Sequence, residues 1–269
     1  MSKFILLVSF LAGCTTALPT KSSAEQKTNR AGNFRISGGN DAADGAYPFM
    51  VSLRKPPNVH FCGGTIISTS WILTAGHCVL GLNTSNVVAV VGTNTLNTPA
   101  LAKRIHKIVV HPKFNNTGYH SHDIGMILVY TPFVFSSNIA PVAIKSGILR
   151  LNTNVVVIGW GQTEKDGPLS MKLQELSART SSRSFCWRFY RGTTSPTNIC
   201  TRYATRKGFC HGDSGGPLLQ ADIKAQLGIA SFNNEYHCGT ERMVVDVYIW
   251  VAPYLGWIQE TIHSTKLTS

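Results

Sequence analysis

The stretch Cys210-His211-Gly212-Asp213-Ser214-Gly215-Gly216-Pro217 decides how the rest of the chain is read. A serine flanked by glycines can bring its backbone N–H into the same space as its hydroxyl, because Gly212 tolerates backbone angles that a Cβ forbids. The N–H groups of Gly212 and Ser214 are thus candidates to hold a developing oxyanion. A serine hydroxyl is a weak nucleophile until a base takes its proton, which directs the search to a histidine. His77 lies in Leu73-Thr74-Ala75-Gly76-His77-Cys78, directly after an apolar run and beside a cysteine that would pin it. Asp123 opens another apolar run, 124–129, and is placed to orient the imidazole. Taken singly, these read as a packed histidine, a strand cap and a turn residue. Taken together, they supply a nucleophile, a base and an orienting group.

Outward from these residues, short apolar and β-branched runs alternate with Gly, Pro, Asn and Ser from Tyr47 onward. The runs are 49–53, 65–67, 71–73, 87–91, 105–110, 124–129, 155–160, 172–177, 217–219, 227–232 and 243–248. Many short strands at this pitch predict an antiparallel sandwich or barrel, and the candidates divide naturally into two barrels. Helical spacing is clear only near the end, where Tyr254, Leu255, Ile258 and Ile262 follow Pro253, so one C-terminal helix is expected.

Ile36-Ser37-Gly38-Gly39, the segment 73–78, Asp123-Ile124-Gly125-Met126-Ile127 and the segment 212–217 stand in an order and spacing that resemble the chymotrypsin/trypsin family of serine endopeptidases. The likeness runs from Ile36 to about Ile262 and includes Cys62-Gly63-Gly64, Gly159-Trp160-Gly161 and Tyr254 with Trp257-Ile258. It implies an all-β fold of two six-stranded antiparallel Greek-key barrels with a C-terminal helix and the catalytic cleft between them. It also implies that Ser214 attacks the scissile carbonyl and that His77 acts as general base and then acid. Asp123 would hold the imidazole tautomer, with Ser231 hydrogen-bonded to Asp123. Substrates would be proteins or peptides, protein protease inhibitors would be natural partners, and no cofactor is implied.

Residues 1–17 carry a short basic start, the apolar run 4–12 and small residues after it, matching a secretory signal peptide. The run 11–14 also resembles a bacterial lipoprotein box with Cys14 as anchor. Residues 18–35 are polar and read as a propeptide, leaving 36–269 as the peptidase domain. Apart from Cys14, six cysteines remain, and an even number in an oxidising compartment reads as three disulfides with pairing open. The family resemblance implies Cys62–Cys78, Cys186–Cys200 and Cys210–Cys238. It further implies that a trypsin-like protease cuts after Arg35, freeing an Ile36 ammonium to insert beside Asp213. Ser37 departs from the aliphatic residue usual there. The lack of an attached regulatory module favours a digestive enzyme of an invertebrate gut over a venom or immune-cascade protease, and a secreted monomer is expected.

The chain has 25 Lys and Arg against 13 Asp and Glu, a formal charge of +12, yet no block of like charges. That excludes a basic nucleic-acid tail, and no apolar run is long enough to span a bilayer. Arg179, Arg183, Arg188, Arg191, Arg202, Arg206 and Lys207 form a loosely basic region, read as solvated surface or as a site for sulfated glycan or acidic substrate. His120, His122 and Asp123 can be drawn as a metal cluster, but a solvated loop is the simpler reading; no CxxC pair supports zinc, and the segment 91–103 lacks the acids of a calcium loop. Asn83-Thr84-Ser85 and Asn115-Asn116-Thr117 are glycosylation acceptors.

The resemblance places Gly208 at the base of the primary specificity pocket and Asp246 on its back wall. Phe209 and Asn233 replace smaller residues and reduce the volume, Phe232 replaces a tryptophan, and Ser231 adjoins them. Some invertebrate digestive relatives pair a glycine base with this acid and accept aromatic, leucine and basic side chains. A large apolar residue before the cut is the first expectation, a small apolar one the second, and Lys or Arg the third. A catalytically silent homologue binding proteins or glycans is the rival reading.

Overall fold

The computed structural model describes residues 38–97, 100–115, 120–203, 207–233 and 245–266. After the two-residue strand β1 (Asn40–Asp41) come β2 (Met50–Lys55), β3 (Val59–Ile66), β4 (Trp71–Thr74), β5 (Val88–Val91), β6 (Leu101–Val110) and β7 (Gly125–Val129). The last six close into an antiparallel barrel in the order β2-β3-β4-β7-β6-β5. The second barrel is built from β8 (Asn154–Gly159), β9 (Gln174–Ser181), β10 (Asn198–Arg202), β11 (Pro217–Gln220), β12 (Ala225–Phe232) and β13 (Val245–Trp250). Its order is β9-β10-β13-β12-β11-β8, closed by the pairing of β8 with β9. β1 adds to β9 through Asn40 opposite Glu175.

The side-chain period of two explains the interior. In β9, Gln174, Leu176, Ala178 and Thr180 are buried while Ser177 and Arg179 face solvent, as one half-buried strand requires. β2 is buried on both faces from Met50 to Arg54, so its polar Ser52 and Arg54 need internal partners. The C-terminal helix α3 (Leu255–Lys266) follows a 3-10 turn holding Pro253. It buries Ile258 and Thr261 on one stripe, and Ile258 joins the same core as Trp71 and Ile127 of the first barrel.

Two expectations of the sequence need correcting. β10 is a strand although only Ile199 and Cys200 in it are apolar; its place between β9 and β13 buries it. A second helix, α2 (Arg183–Phe189), also forms, and Ser182 caps it by accepting from the Phe185 N–H at 3.2 Å. The one-turn helix α1 (Gly76–Val79) lies between β4 and β5.

Candidate active site

His77 sits in the first turn of α1, directly behind the end of β4. Asp123 lies two residues before β7, which pairs with β4 through Thr74 opposite Gly125. Strand pairing therefore carries the two residues to one end of the first barrel. Asp123 is fully buried and accepts three hydrogen bonds. The His77 backbone N–H reaches Oδ1 at 2.7 Å and His77 Nδ1 reaches Oδ2 at 2.7 Å. Ser231 Oγ, from the end of β12 in the second barrel, donates to Oδ2 at 2.6 Å. An acceptor-only carboxylate on Nδ1 fixes the tautomer that leaves Nε2 available as a base.

Ser214 lines a cavity of about 280 Å³ with His77, His120, Phe209, His211, Ser231, Phe232 and Asn233. Ser214 Oγ is not hydrogen-bonded to His77 in this resting site, and such contacts often tighten only with substrate. Backbone amides around the serine are anchored by their carbonyls. His211 C=O accepts from Gln162 N–H at 2.8 Å and Asp213 C=O accepts from Gly216 N–H at 3.0 Å. These bonds turn the Gly212 and Ser214 N–H groups the other way, and neither N–H meets a protein acceptor among the described residues. Gly212 holds φ +95°, the left-handed region expected of it. Gly63 of β3 donates its N–H to Ser214 C=O at 2.8 Å, tying the serine loop to the first barrel.

Asp213 is buried, with Gly161 N–H on Oδ1 at 2.7 Å and Cys210 N–H on Oδ2 at 2.9 Å. Cβ atoms at Gly159 or Gly161 would fall within 2.2 Å of its oxygens, which is why that Gly-Trp-Gly segment carries no side chains there. Burial pushes the Asp213 carboxyl up to about 7, against the pull of those N–H donors and with help from Asp246. Among the described residues no cationic side chain pairs with Asp213. Arg35, Ile36, Ser37, Cys14, Arg206 and Cys238 lie outside the described residues.

Cys62–Cys78 and Cys186–Cys200 are disulfides, with Cα separations of 6.2 Å and 5.9 Å. The first ties β3 to α1 beside His77. Cys210 is disulfide-bonded as well. His120 and His122 do not gather around Asp123: His122 Nδ1 lies 3.0 Å from Tyr254 Oη, and the His120 ring stacks on Phe232. The described ligand-type atoms that approach one another are those of Cys62, His77 and Cys78, and the two sulfurs are already bonded together. Asn83 and Asn115 are exposed. Gly208 and Asp246 are buried but are not among the described residues lining the cavity. Phe209 lines it while its ring packs edge-on against Tyr248 at 5.4 Å.

Sequence reading missed a polar relay. Arg54 Nε donates to Ser52 Oγ at 2.9 Å, Ser52 Oγ donates to His60 Nδ1 at 2.8 Å, and His60 Nε2 donates to Gly212 C=O at 2.9 Å. The signal was two polar residues inside an otherwise apolar strand.

Two closed barrels that bring a serine loop, an imidazole and a buried carboxylate together define the class of two-barrel serine peptidases. A family model described as Trypsin matches residues 36–258, and the chain belongs to that family. It is 33% identical over 226 residues to chymotrypsin-2 of Vespa crabro, covering 84% of this chain and 99% of that one. It is 28% identical over 255 residues to human granzyme M, covering 93% and 98%. Among solved structures, mouse neuropsin, a serine protease, aligns with a TM-score of 0.76 at 25% identity, covering 84% of this chain and 99% of that one.

Proposed function

We propose that residues 36–269 form a secreted serine endopeptidase, made as a zymogen behind a signal peptide (1–17) and a propeptide (18–35). Digestion of protein is its proposed setting. Ser214 Oγ attacks the scissile carbonyl and His77 Nε2 takes its proton. Asp123 stabilises the imidazolium that results, and the Gly212 and Ser214 N–H groups bind the oxyanion. His77 then delivers the proton to the leaving amine, and water repeats the sequence on the acyl-enzyme. The observation that carries this reading is the buried Asp123 carboxylate, held by His77 and Ser231 donors, behind two residues that line one cavity with Ser214.

Activation is a cut after Arg35 by a trypsin-like protease. The freed Ile36 ammonium would supply the cation that buried Asp213 lacks among the described residues, because a buried charge is costly without its partner. The test is to cut the purified protein after Arg35, label it with a small fluorophosphonate and follow peptide hydrolysis. Labelling and hydrolysis that vanish in Ser214→Ala are expected. No labelling despite a confirmed Ile36 terminus would move the assignment to a silent binding homologue.

A further inference from the structure

The Asn233 side chain lines the cavity that Ser214 and Phe209 share. Nδ2 donates to Phe209 C=O at 2.6 Å and to Asp246 Oδ1 at 3.2 Å. Both partners are acceptors, so the amide orientation is fixed and both N–H groups of Nδ2 are engaged. The first acceptor belongs to the chain segment leading into Ser214, and the second to β13. Asn233, directly after β12, thereby ties the end of that strand to both partners.

Asp246 is wholly removed from solvent. Its other oxygen accepts from Phe209 N–H at 2.8 Å, and Tyr203 also hydrogen-bonds to it. Tyr203 in turn bonds to Tyr248 through their hydroxyls. The acid is held by internal donors and stands behind the Asn233 amide, so an entering ammonium or guanidinium does not meet it. What stays open, about 280 Å³, is shared with the space before His77, His120 and His211.

We infer that Asn233 is a specificity-determining bar that shuts the space behind Ser214, so that the chain cuts after residues with small side chains such as Ala, Gly and Ser. This rests on the peptidase reading and replaces the large apolar preference expected from sequence. Admitting Phe or Lys requires the loss of both Asn233 bonds.

The test profiles the cut, fluorophosphonate-titrated protein on peptides varied at the residue before the scissile bond. Wild type, Asn233→Gly, Asn233→Ala and the double variant Asn233→Gly/Asp246→Asn are compared per labelled site. Wild type should favour Ala over Phe and Lys by about tenfold or more in kcat/KM, a discrimination within reach of pocket closure. Asn233→Gly should raise kcat/KM for Phe, Lys and Arg peptides by about tenfold, with Asn233→Ala between. Adding Asp246→Asn should remove the gain for Lys and Arg and leave that for Phe. A wild type that cuts after Phe or Lys as fast as after Ala overturns the inference, as does an unchanged profile in labelled Asn233 variants. Absence of labelling in wild type overturns the peptidase reading and this inference with it.

Discussion

His60 shows how a residue without a role in bond-making can set up those that have one. Burial holds its imidazole down at about 4; the bond to Gly212 C=O works against that, and Arg54 nearby adds to it. The ring is therefore neutral at working pH, with Nε2–H donating to Gly212 C=O and Nδ1 accepting a hydrogen bond from the Ser52 hydroxyl. By fixing the Gly212 carbonyl, His60 helps hold the loop that carries Ser214. Replacing His60 with Phe should lower kcat by about tenfold to a hundredfold, the range for a disturbed oxyanion donor, with KM little changed. His60→Gln, which keeps a donor, should recover part of the loss. A KM effect with kcat intact would assign His60 to packing instead. In the linear chain the relay left only Ser52 and Arg54 inside an apolar run as a trace, because its three members meet only once β2 and β3 pair.

Among elements, β3 and the serine loop approach as closely as backbones permit. A Cβ on Gly63 would lie 3.0 Å from the backbone of Gly216, and neither side can swing away. Gly63→Ala should therefore displace the serine loop, cutting fluorophosphonate labelling far more than it lowers Tm. Equal labelling at equal Tm would show that the loop tolerates the shift. Helix α3 works the other way, through burial alone. Ile258 is 3% exposed within the first-barrel core, so Ile258→Ala should cost about 2–5 kcal/mol of stability, read by denaturant unfolding. The Pro253 start and apolar spacing made α3 legible. β10 was not, since a strand buried by its neighbours carries no alternation of its own.

For the whole molecule, buried carboxyls set the pH response. Burial pushes both Asp213 and Asp246 up to about 7, whereas an unfolded Asp releases its proton near pH ~4. Between those values the folded chain holds more protons, so stability falls as pH rises from about 4 to about 7 and levels beyond. A cation delivered beside Asp213 lowers its pKa and removes part of that slope. The uncut Arg35→Gln protein should accordingly lose more Tm than the cut protein between pH 4.5 and 7 in thermal melts. The difference should be on the scale of one perturbed carboxyl, ~1.4 kcal/mol for each tenfold change in its acidity. Parallel curves would argue against insertion of the new terminus.

Local patterns were enough to read the family, the two-barrel fold and the three candidates His77, Asp123 and Ser214, since alternation, turn residues and motif spacing are written along the chain. The family resemblance also marked Phe209, Asn233 and Asp246 as departures. What those departures do emerged from the packing of distant segments, because the direction of the Asn233 amide depends on β12 and β13 lying side by side and on a Phe209 carbonyl facing them. Hydrogen bonds between residues far apart in the chain have no linear signature, and both the Asn233 bar and the His60 relay are made of them.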